Sequence, residues 1–387
     1  MIPYGRQSIS EEDIQAVVEV LRSDYLTQGP TVSRFEESIC CYTGSSYGVA
    51  TNSGTSALHL ACLALELGAG DYLWTSPITF VASANCALYC GAKIDFVDID
   101  PCTFNISIDA LTKKLKRAEL EGTLPKIIVP VHMGGLSCDM SAIHELSLQY
   151  GFHVIEDACH ALGGKYKGKP IGNCHYSDIS VFSFHPVKII TTGEGGMAVT
   201  NESRLMEKMA LLSSHGITRD VEKMKNVSDG PWYYQQIALG YNYRMTDIQA
   251  SLGISQAARI DSFVEQRHKL AKLYSDFLAE IPVKPQHCPD DSYSAMHLYI
   301  VRVSGNNLKK THKQIFEEMR NSGIGVNIHY IPVHTQPWYR DMGFKCSDFP
   351  ASVSYYEEAL SLPMFPDMRE DNVYEAVEAL KKIVLSS

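Results

Sequence analysis

The sequence lacks the patterns that mark a membrane protein, a nucleic-acid-binding protein or a common zinc protein. No apolar run approaches the length of a transmembrane helix, and the 34 lysines and arginines are scattered rather than clustered. Neither a CxxC pair nor an HExxH motif occurs, so we expect no metal site. We also expect no membrane or nucleic-acid partner, and the net charge of −10 is most simply a solubility feature.

A secretion signal is missing as well. The first residues, MIPYGRQSISEED, have neither the basic start nor the apolar core of a signal peptide. The 11 cysteines are odd in number, and Cys40 and Cys41 are adjacent, which does not favour a framework of disulfides. We therefore expect a cytoplasmic protein with reduced thiols.

What the sequence does contain is an alternation of strand and helix patterns over its first two-thirds. The β-rich runs are YGVAT (47–51), DYLWTS (71–76), KIDFVDI (93–99), KIIVPVH (126–132), FHVIED (152–157) and DISVFSF (178–184). Such alternation predicts an α/β fold with a mainly parallel sheet covered by helices on both faces. Functional side chains are expected where these strands end in polar residues.

A second, smaller unit is predicted after about residue 256. A long polar helix pattern and a Pro- and Asp-rich connector are followed by two further β-rich runs, MHLYIVRV and IGVNIHYIPV. A chain of 387 residues is also long enough for two structural units. We predict a large domain over 1–255 and a small C-terminal α+β domain over 256–387.

One lysine stands in an unusual setting. In DISVFSFHPVKIITTGEGGMAV, no Asp, Glu, Lys or Arg other than Lys188 occurs between Asp178 and Glu194. A lysine in apolar surroundings loses hydration, which lowers its pKa and makes the neutral amine available for a Schiff base. The alternative is a lysine that reaches water or pairs with a distant carboxylate.

Other residues supply what pyridoxal phosphate needs besides a lysine. The turn NSGTSALHL opens a helix after a strand, so the backbone around Gly54, Thr55 and Ser56 predicts a phosphate site. Asp157 ends a strand and is a suitable partner for a pyridine N–H, and Phe80 could cover the ring. Each of these features also has an ordinary structural explanation. The turn could simply cap a helix, Asp157 could be a common strand-end acid, and Phe80 could belong to the core.

The order of these features along the chain resembles the sugar aminotransferases of the DegT/DnrJ/EryC1/StrS family. SFHPVKIITTGEGGMAVT is similar to the lysine motif of that family, VIEDACHALGG to its aspartate motif, and YNYRMTDIQASLG to a later signature. The resemblance implies the aspartate-aminotransferase-like fold of fold type I pyridoxal phosphate enzymes. This fold has a large α/β/α domain with a mostly parallel sheet and a smaller C-terminal α+β domain.

The resemblance also implies roles for particular residues. Lys188 would hold pyridoxal 5′-phosphate as a Schiff base and act as the catalytic acid–base group, and Asp157 would keep the pyridine nitrogen protonated. Asn242 would reach the cofactor phosphate of a neighbouring subunit, which makes the expected active unit a homodimer with active sites at its interface. The remaining cofactor contacts implied are Gly54, Thr55, Ser56, Phe80, His160 and Ser183.

The N-terminal stretch IPYGRQSISEEDIQAVVEVLRSDYLTQGPTVSRFEE resembles members of the family that act on UDP-linked keto sugars. The implied reaction moves the amino group of L-glutamate to C4 of a UDP-2-acetamido-2,6-dideoxy-4-keto-hexose, as in pseudaminic acid biosynthesis. It leaves 2-oxoglutarate. The substrate contacts implied are Tyr4, Asp24, Tyr25, Leu26, Thr27, His329 and Tyr330.

Three alternatives differ in chemistry. Dehydratases of the same fold replace the lysine with histidine, and the presence of Lys188 argues against them. A transaminase for another UDP-4-keto sugar, such as one of the 4-amino-4-deoxy-L-arabinose type, would carry the same motifs. A regulatory or binding homologue without catalysis would be expected to have lost Lys188, Asp157 or the phosphate turn, and none is lost.

Overall fold

The structure is a computed structural model, and it describes residues 1–304 and 309–385. The predicted C-terminal domain includes residues 305–308 and 386–387, which lie outside the described residues. Within the described ranges, every helix is too short or too polar to cross a membrane.

Fifteen strands and thirteen α-helices are formed by the described residues. The strands are β1 (Tyr47–Thr51), β2 (Tyr72–Thr75), β3 (Lys93–Phe96), β4 (Ile127–Val129), β5 (His153–Asp157), β6 (Lys165–Tyr166), β7 (Lys169–Pro170), β8 (Ile179–Ser183), β9 (Gly196–Thr200), β10 (Ile217–Thr218), β11 (Gln235–Gln236), β12 (Val283–Pro285), β13 (Ser292–Tyr293), β14 (Tyr299–Val303) and β15 (Ala359–Leu362). The helices are α1 (Glu11–Leu21), α2 (Pro30–Thr43), α3 (Gly54–Ala64), α4 (Ala82–Tyr89), α5 (Ile108–Glu121), α6 (Met140–Tyr150), α7 (Ser203–Ser213), α8 (Asp247–Ala257), α9 (Ile260–Leu278), α10 (His312–Asn321), α11 (Pro337–Arg340), α12 (Pro350–Glu358) and α13 (Glu370–Leu385).

A seven-stranded sheet forms the centre of the molecule, in the order β1-β9-β8-β5-β4-β2-β3. Strands β8, β5, β4, β2 and β3 pair in parallel, and β9 is antiparallel to both of its neighbours. All six β-rich runs of the first two-thirds become strands of this sheet. The predicted α/β fold with a mainly parallel sheet is confirmed, and it brings the ends of β1, β5 and β8 to the same edge.

Helix α3 shows how the sequence builds this core. Ser53 caps its start, because the Ser53 hydroxyl accepts a hydrogen bond from the backbone N–H of Ser56 at 3.1 Å. Nine of its 11 residues are buried, because α3 packs between the sheet and the helices α4 and α7. A helix that is buried on nearly every side reads as a continuous apolar run in the sequence.

A separate hydrophobic cluster lies in the last third of the chain. The antiparallel sheet β12-β14-β15 packs there with α9, α10 and α13. The predicted strand MHLYIVRV corresponds to β14, whereas the strand predicted at IGVNIHYIPV (324–333) is wrong. That segment makes only isolated bridges, Ile2 with Ile324 and Asn327 with Ser361, so it touches the outer edge of β15 at one residue and does not pair along it. The division of the chain at residue 255 remains a prediction, since α8 runs across it.

Candidate active site

A cavity of about 950 Å³ opens at the edge of the central sheet where β1, β5 and β8 end. Its size suits a small-molecule site, and eleven of the sequence-predicted site residues line it. These are Tyr4, Gly54, Thr55, Ser56, Phe80, Asp157, His160, Ser183, Lys188, His329 and Tyr330. Residues up to 326 positions apart in the sequence therefore meet around one space.

Lys188 lies in the irregular segment between β8 and β9 and projects to the cavity. Burial lowers the pKa of its ammonium group, and the neighbouring Cys159 and Asp157 oppose this shift. Within the described ranges, its Nζ makes no hydrogen bond and no ion pair. The amine is thus poorly hydrated and uncommitted, which is the state that a nucleophilic lysine requires.

Asp157 ends β5 and is only 5% exposed, yet no described Lys, Arg or His forms an ion pair with it. Its Oδ2 accepts a hydrogen bond from the Ser83 hydroxyl at 2.6 Å, and its Oδ1 accepts one from the backbone N–H of Cys159 at 3.2 Å. The hydroxyl oxygens of Thr79 and Ser83 are 2.7 Å apart, so the row of hydrogen bonds continues from Asp157 to Thr79, which lines the cavity. A buried carboxylate without a cation is costly, so its environment favours a positively charged partner from the cavity.

The predicted phosphate turn lies at the start of α3. The backbone N–H groups of Gly54 and Thr55 and the hydroxyl of Thr55 have no hydrogen-bond partner among the described residues. The end of β8 is in close contact, because a Cβ on Gly54 would lie 3.0 Å from the Cβ of Ser183. A Cβ on Gly196 would lie 2.5 Å from the backbone nitrogen of Gly54. Glycine at both positions lets β1, β8 and β9 approach the turn, whose residues line the cavity with free donors of the kind that an anion requires.

Aromatic and imidazole rings form the opposite side of the cavity. Phe80 is 57% exposed, and its ring centroid lies 6.2 Å from that of Tyr330. The Tyr330 hydroxyl and the His160 Nε2 are 3.0 Å apart. Burial lowers the pKa of His160 well below its ordinary value, and it lowers the pKa of His329 to about 3. Both rings are therefore neutral at pH 7 and bind through hydrogen bonds rather than charge.

Five predicted site residues do not line this cavity. Asn242 lies outside it, although its backbone carbonyl accepts a hydrogen bond from the side chain of the lining residue Asn52 at 3.3 Å. The segment Asp24, Tyr25, Leu26 and Thr27 is exposed to solvent and contacts the start of α8 instead. The roles assigned to these five residues remain predictions.

The sequence analysis did not identify several lining residues or the support of Asp157. Ser83 has no distinguishing signal, because it is an ordinary small residue within a helical pattern. His297 precedes β14, and its ring centroid lies 4.5 Å from that of His160. Its position at the start of a β-rich run was the one feature of the sequence that could have marked His297 as a site residue. The other lining residues missed include Asn52, His185, Glu194, Gln249 and Asn327.

These residues fit pyridoxal phosphate on structural grounds. The uncommitted amine of Lys188 suits its aldehyde, and the unpaired buried carboxylate of Asp157 suits a protonated pyridine nitrogen. The free N–H groups at the start of α3 suit its phosphate. Phe80 offers an exposed aromatic face beside the same cavity.

Comparisons with known proteins agree with this geometry. The model of the DegT/DnrJ/EryC1/StrS aminotransferase family matches residues 7–381. The spore coat polysaccharide biosynthesis protein SpsC of Bacillus subtilis is 39% identical over 387 residues, which cover 99% of this chain and 97% of that protein.

Two solved structures are similar over nearly their whole length. Helicobacter pylori PseC, described as an aminotransferase involved in the biosynthesis of pseudoaminic acid, has a TM-score of 0.91 and 30% identity, and the alignment covers 100% of both chains. The PLP form of the sugar aminotransferase Spr1654 of Streptococcus pneumoniae has a TM-score of 0.88 and 30% identity, with 99% of this chain and 98% of that chain covered. Since the family model spans almost the whole sequence, the chain belongs to the DegT/DnrJ/EryC1/StrS aminotransferase family and is a pyridoxal-phosphate-dependent aminotransferase.

Proposed function

We propose that the protein transfers the amino group of L-glutamate to C4 of a UDP-2-acetamido-2,6-dideoxy-4-keto-hexose, as in pseudaminic acid biosynthesis. The observation that carries this proposal is the similarity to Helicobacter pylori PseC over the full length of both chains. Support also comes from SpsC, whose name places it in the synthesis of a polysaccharide.

The residues of the cavity have separate tasks in this proposal. Bound pyridoxal phosphate supplies an electron sink for the carbon that loses its proton. The Lys188 amine takes the proton from Cα of the donor and later delivers one to C4 of the sugar, and burial favours the first step because it lowers the pKa of this amine. Asp157, held by Ser83, would face the pyridine nitrogen, and Phe80 would cover the ring. The free donors of Gly54, Thr55 and Ser183 would hold the phosphate. Ser56 would join them after its hydroxyl turns away from Asn52.

The nucleotide end of the substrate needs positive charge that this cavity does not supply. Lys188 is the only Lys or Arg among the described residues that line it, whereas Asp157 and Glu194 are both acidic. The histidines His160, His297 and His329 are kept neutral by burial. We therefore propose a homodimer in which a second subunit completes the site. In this homodimer Asn242 of each subunit reaches the cofactor phosphate of the other, and Asp24–Thr27 contribute substrate contacts. None of these residues is basic, so the positive charge comes from other residues of the second subunit.

Product analysis tests the substrate. The purified protein with pyridoxal phosphate and L-glutamate is incubated with the UDP-4-keto-hexose or with the UDP-4-keto-pentose that leads to 4-amino-4-deoxy-L-arabinose. We expect 2-oxoglutarate and an amino sugar by mass spectrometry and NMR from the hexose, and little product from the pentose. The Lys188→Ala variant serves as the blank.

Two results would contradict the proposal in different ways. If only the pentose were aminated, the protein would still be an aminotransferase, but the proposed hexose substrate would be wrong. A protein that binds the cofactor without a borohydride-reducible link to Lys188 and forms no 2-oxoglutarate would be a binding homologue.

A further inference from the structure

A fully buried cation, the guanidinium group of Arg267, lies on α9 and outside the active-site cavity. Its side chain is 0% exposed, and no Asp or Glu among the described residues forms an ion pair with it. Its Nε and Nη2 are buried and have no hydrogen-bond partner in that part of the chain either. Such a cation is costly, and an apolar side chain of similar volume would fill the space at a lower cost. The contacts of its third nitrogen, Nη1, are therefore the ones that can give this group a role.

The Nη1 of Arg267 binds two separate segments of the chain. It donates to the backbone carbonyls of Met296 and His297, at 3.3 and 3.1 Å, just before β14. It also donates to the carbonyl of Met364, which follows β15, at 3.1 Å. Met296 has a φ of 50°, in the left-handed region that residues other than glycine rarely adopt. Arg267 thus holds a strained turn whose next residue, His297, lines the active-site cavity.

The main chain around His297 also packs against Gly135. A Cβ on Gly135 would lie 3.0 Å from the carbonyl oxygen of His160 and 3.1 Å from the backbone nitrogen of His297. The backbone N–H of Ala295 donates to the carbonyl of Gly135 at 3.0 Å. Glycine at this position, with a φ of 102°, lets the segments of both histidines approach the same point. The backbones of His160 and His297 are therefore held beside each other.

The two histidine rings are adjacent as a result. Their centroids lie 4.5 Å apart, and both rings line the cavity. The His160 Nε2 is 3.0 Å from the hydroxyl of Tyr330, whereas the ring of His297 makes no hydrogen bond to the described residues. The position of the His297 ring therefore depends on its main chain, which Arg267 binds.

We propose that Arg267 is a positioning residue of the cofactor site, and that it acts through the ring of His297 on the ring of His160. Because Nη1 holds the carbonyls of Met296 and His297, the His297 ring stays against the His160 ring. The His160 ring then meets pyridoxal phosphate in one orientation. This role concerns the cofactor and not the sugar, so a different sugar substrate would leave it unchanged.

The first test is made on the full-length protein without cofactor. NMR spectra of the protein labelled with ¹³C-histidine show the ring signals, and the signal lost in His160→Gln or in His297→Gln assigns each of the two. In Arg267→Met, which keeps an aliphatic side chain, we expect both assigned signals to shift, because each ring feels the ring current of the other. A folded Arg267→Met protein with both signals at the parent positions would overturn the proposal.

Tyr274→Phe is the matched control. Tyr274 is also fully buried on α9, and its hydroxyl donates to the carbonyl of Pro363 at 2.9 Å, next to the Met364 carbonyl that Arg267 binds. The variant removes a buried hydrogen bond from the same helix to the same segment and leaves the turn at Met296 untouched. We expect a lower melting temperature and unchanged signals of the two histidines. Shifts as large as those in Arg267→Met would show that any loosening of α9 moves the rings, which would refute a specific role.

The second test is the Kd for pyridoxal phosphate, measured by fluorescence titration. Arg267→Met should raise this Kd about tenfold, within the range of coupling between residues that share contacts, and Tyr274→Phe should leave it unchanged. If Arg267 acts through His297, the same substitution made in His297→Gln should raise the Kd by less than about twofold. An equal rise in both backgrounds, or no rise in either, would contradict this route.

Arg267→Lys covers the case in which Arg267→Met does not fold. An ammonium group has three donors for the three carbonyls, but the lysine side chain is shorter by one bond than the path to Nη1. The Kd of this variant should therefore lie between that of the parent and that of His297→Gln, with both histidine signals shifted. A Kd and histidine signals equal to those of the parent would rule out the positioning role.

Discussion

Two partly buried lysines, Lys188 and Lys114, differ in the partners of their amines. Burial lowers the pKa of both amines. Lys114 pairs with Asp95 at 2.7 Å, donates to the backbone carbonyl of Phe96 at 2.6 Å and lies 4.9 Å from the ring centroid of Trp74. Lys188 has no partner among the described residues and projects to a cavity.

The contrast shows that burial of an amine does not by itself mark a reactive lysine. The Lys114 amine is satisfied by an ion pair and a backbone carbonyl, as in a structural network. At the edge of the sheet around Lys188, an amine and two N–H groups have no hydrogen-bond partner among the described residues, and a buried carboxylate has no cation. Unpaired groups of this kind cost stability, so their concentration in one place indicates a ligand.

The largest expected effect comes from removing the unpaired amine. Lys188→Ala should lower kcat by at least about a thousandfold, because the variant loses both the covalent link to the cofactor and the proton-transfer group. Lys114→Met keeps the aliphatic stem and should leave kcat within about threefold of the parent. Steady-state assays with thermal melting curves check both variants. If kcat fell equally in both variants, or if Lys188→Ala kept a normal kcat, the distinction between a catalytic and a structural lysine would be wrong.

A smaller effect, on the affinity for pyridoxal phosphate, is expected when the hydrogen bond from Ser83 to Asp157 is removed. Ser83→Ala deletes the hydroxyl that donates to Asp157 at 2.6 Å. A hydrogen bond to a charged group contributes roughly 1.5–3 kcal/mol, so the Kd for pyridoxal phosphate should rise at least about tenfold. Fluorescence titration measures this.

Ser147→Ala is the matched control for Ser83→Ala, because the Ser147 hydroxyl donates to a carbonyl within α6, away from the cavity. It should leave the Kd unchanged. An unaltered Kd in Ser83→Ala would show that this hydroxyl does not orient Asp157.

The tight packing of the phosphate turn predicts a third, weaker effect. In Gly54→Ala the added methyl group lies 3.0 Å from the Cβ of Ser183, so the start of α3 or the end of β8 must shift slightly. Overpacking of this kind costs about 1 kcal/mol, which corresponds to a roughly fivefold rise in the Kd for pyridoxal phosphate. Gly68→Ala is the control, because no atom lies within 4 Å of its added Cβ. Identical Kd values for the two variants would argue against a closely fitted turn.

Much of this site could be predicted from the sequence because of how parallel strands are arranged. Polar residues that follow separate strands, such as Asp157 after β5 and the turn after β1, must meet at the same edge of the sheet. Chain order and local motif were therefore enough to place Lys188, Asp157 and the phosphate turn around one space.

Contacts that depend on the packing of distant segments could not be predicted. Ser83 reaches Asp157 only because of the rotation of α4 above β5, and no feature of the sequence around it records that angle. The run 324–333 has strand-like residues but pairs with the outer edge of β15 at Asn327 alone, and the residues of the run do not show where it leaves that edge. The exposed segment Asp24–Thr27 shows no contact with the cavity, and whether it reaches a second subunit depends on assembly.

Glu36 resembles Lys114 in its distance from the cavity and Lys188 in its small number of partners. Its replacement should have the smallest effect on activity. It is a mostly buried carboxyl with one partner, the backbone N–H of Ala50 in β1 at 2.8 Å, and it lies outside the cavity. Burial raises its pKa to about 7. The folded state therefore binds more protons than the unfolded chain between about pH 4.3 and 7, and stability falls as the pH rises through this window.

Glu36→Gln keeps the acceptor for Ala50 and removes the charge. Its free energy of unfolding should equal that of the parent near pH 4 and exceed it by up to about 4 kcal/mol at pH 8, with kcat unchanged. Urea unfolding at both pH values measures this, and Glu375→Gln at an exposed position of α13 should show no such change. If Glu36→Gln were less stable than the parent at pH 8, the carboxylate would have an unrecognised partner. Glu36 would then belong with Lys114 among the satisfied charges.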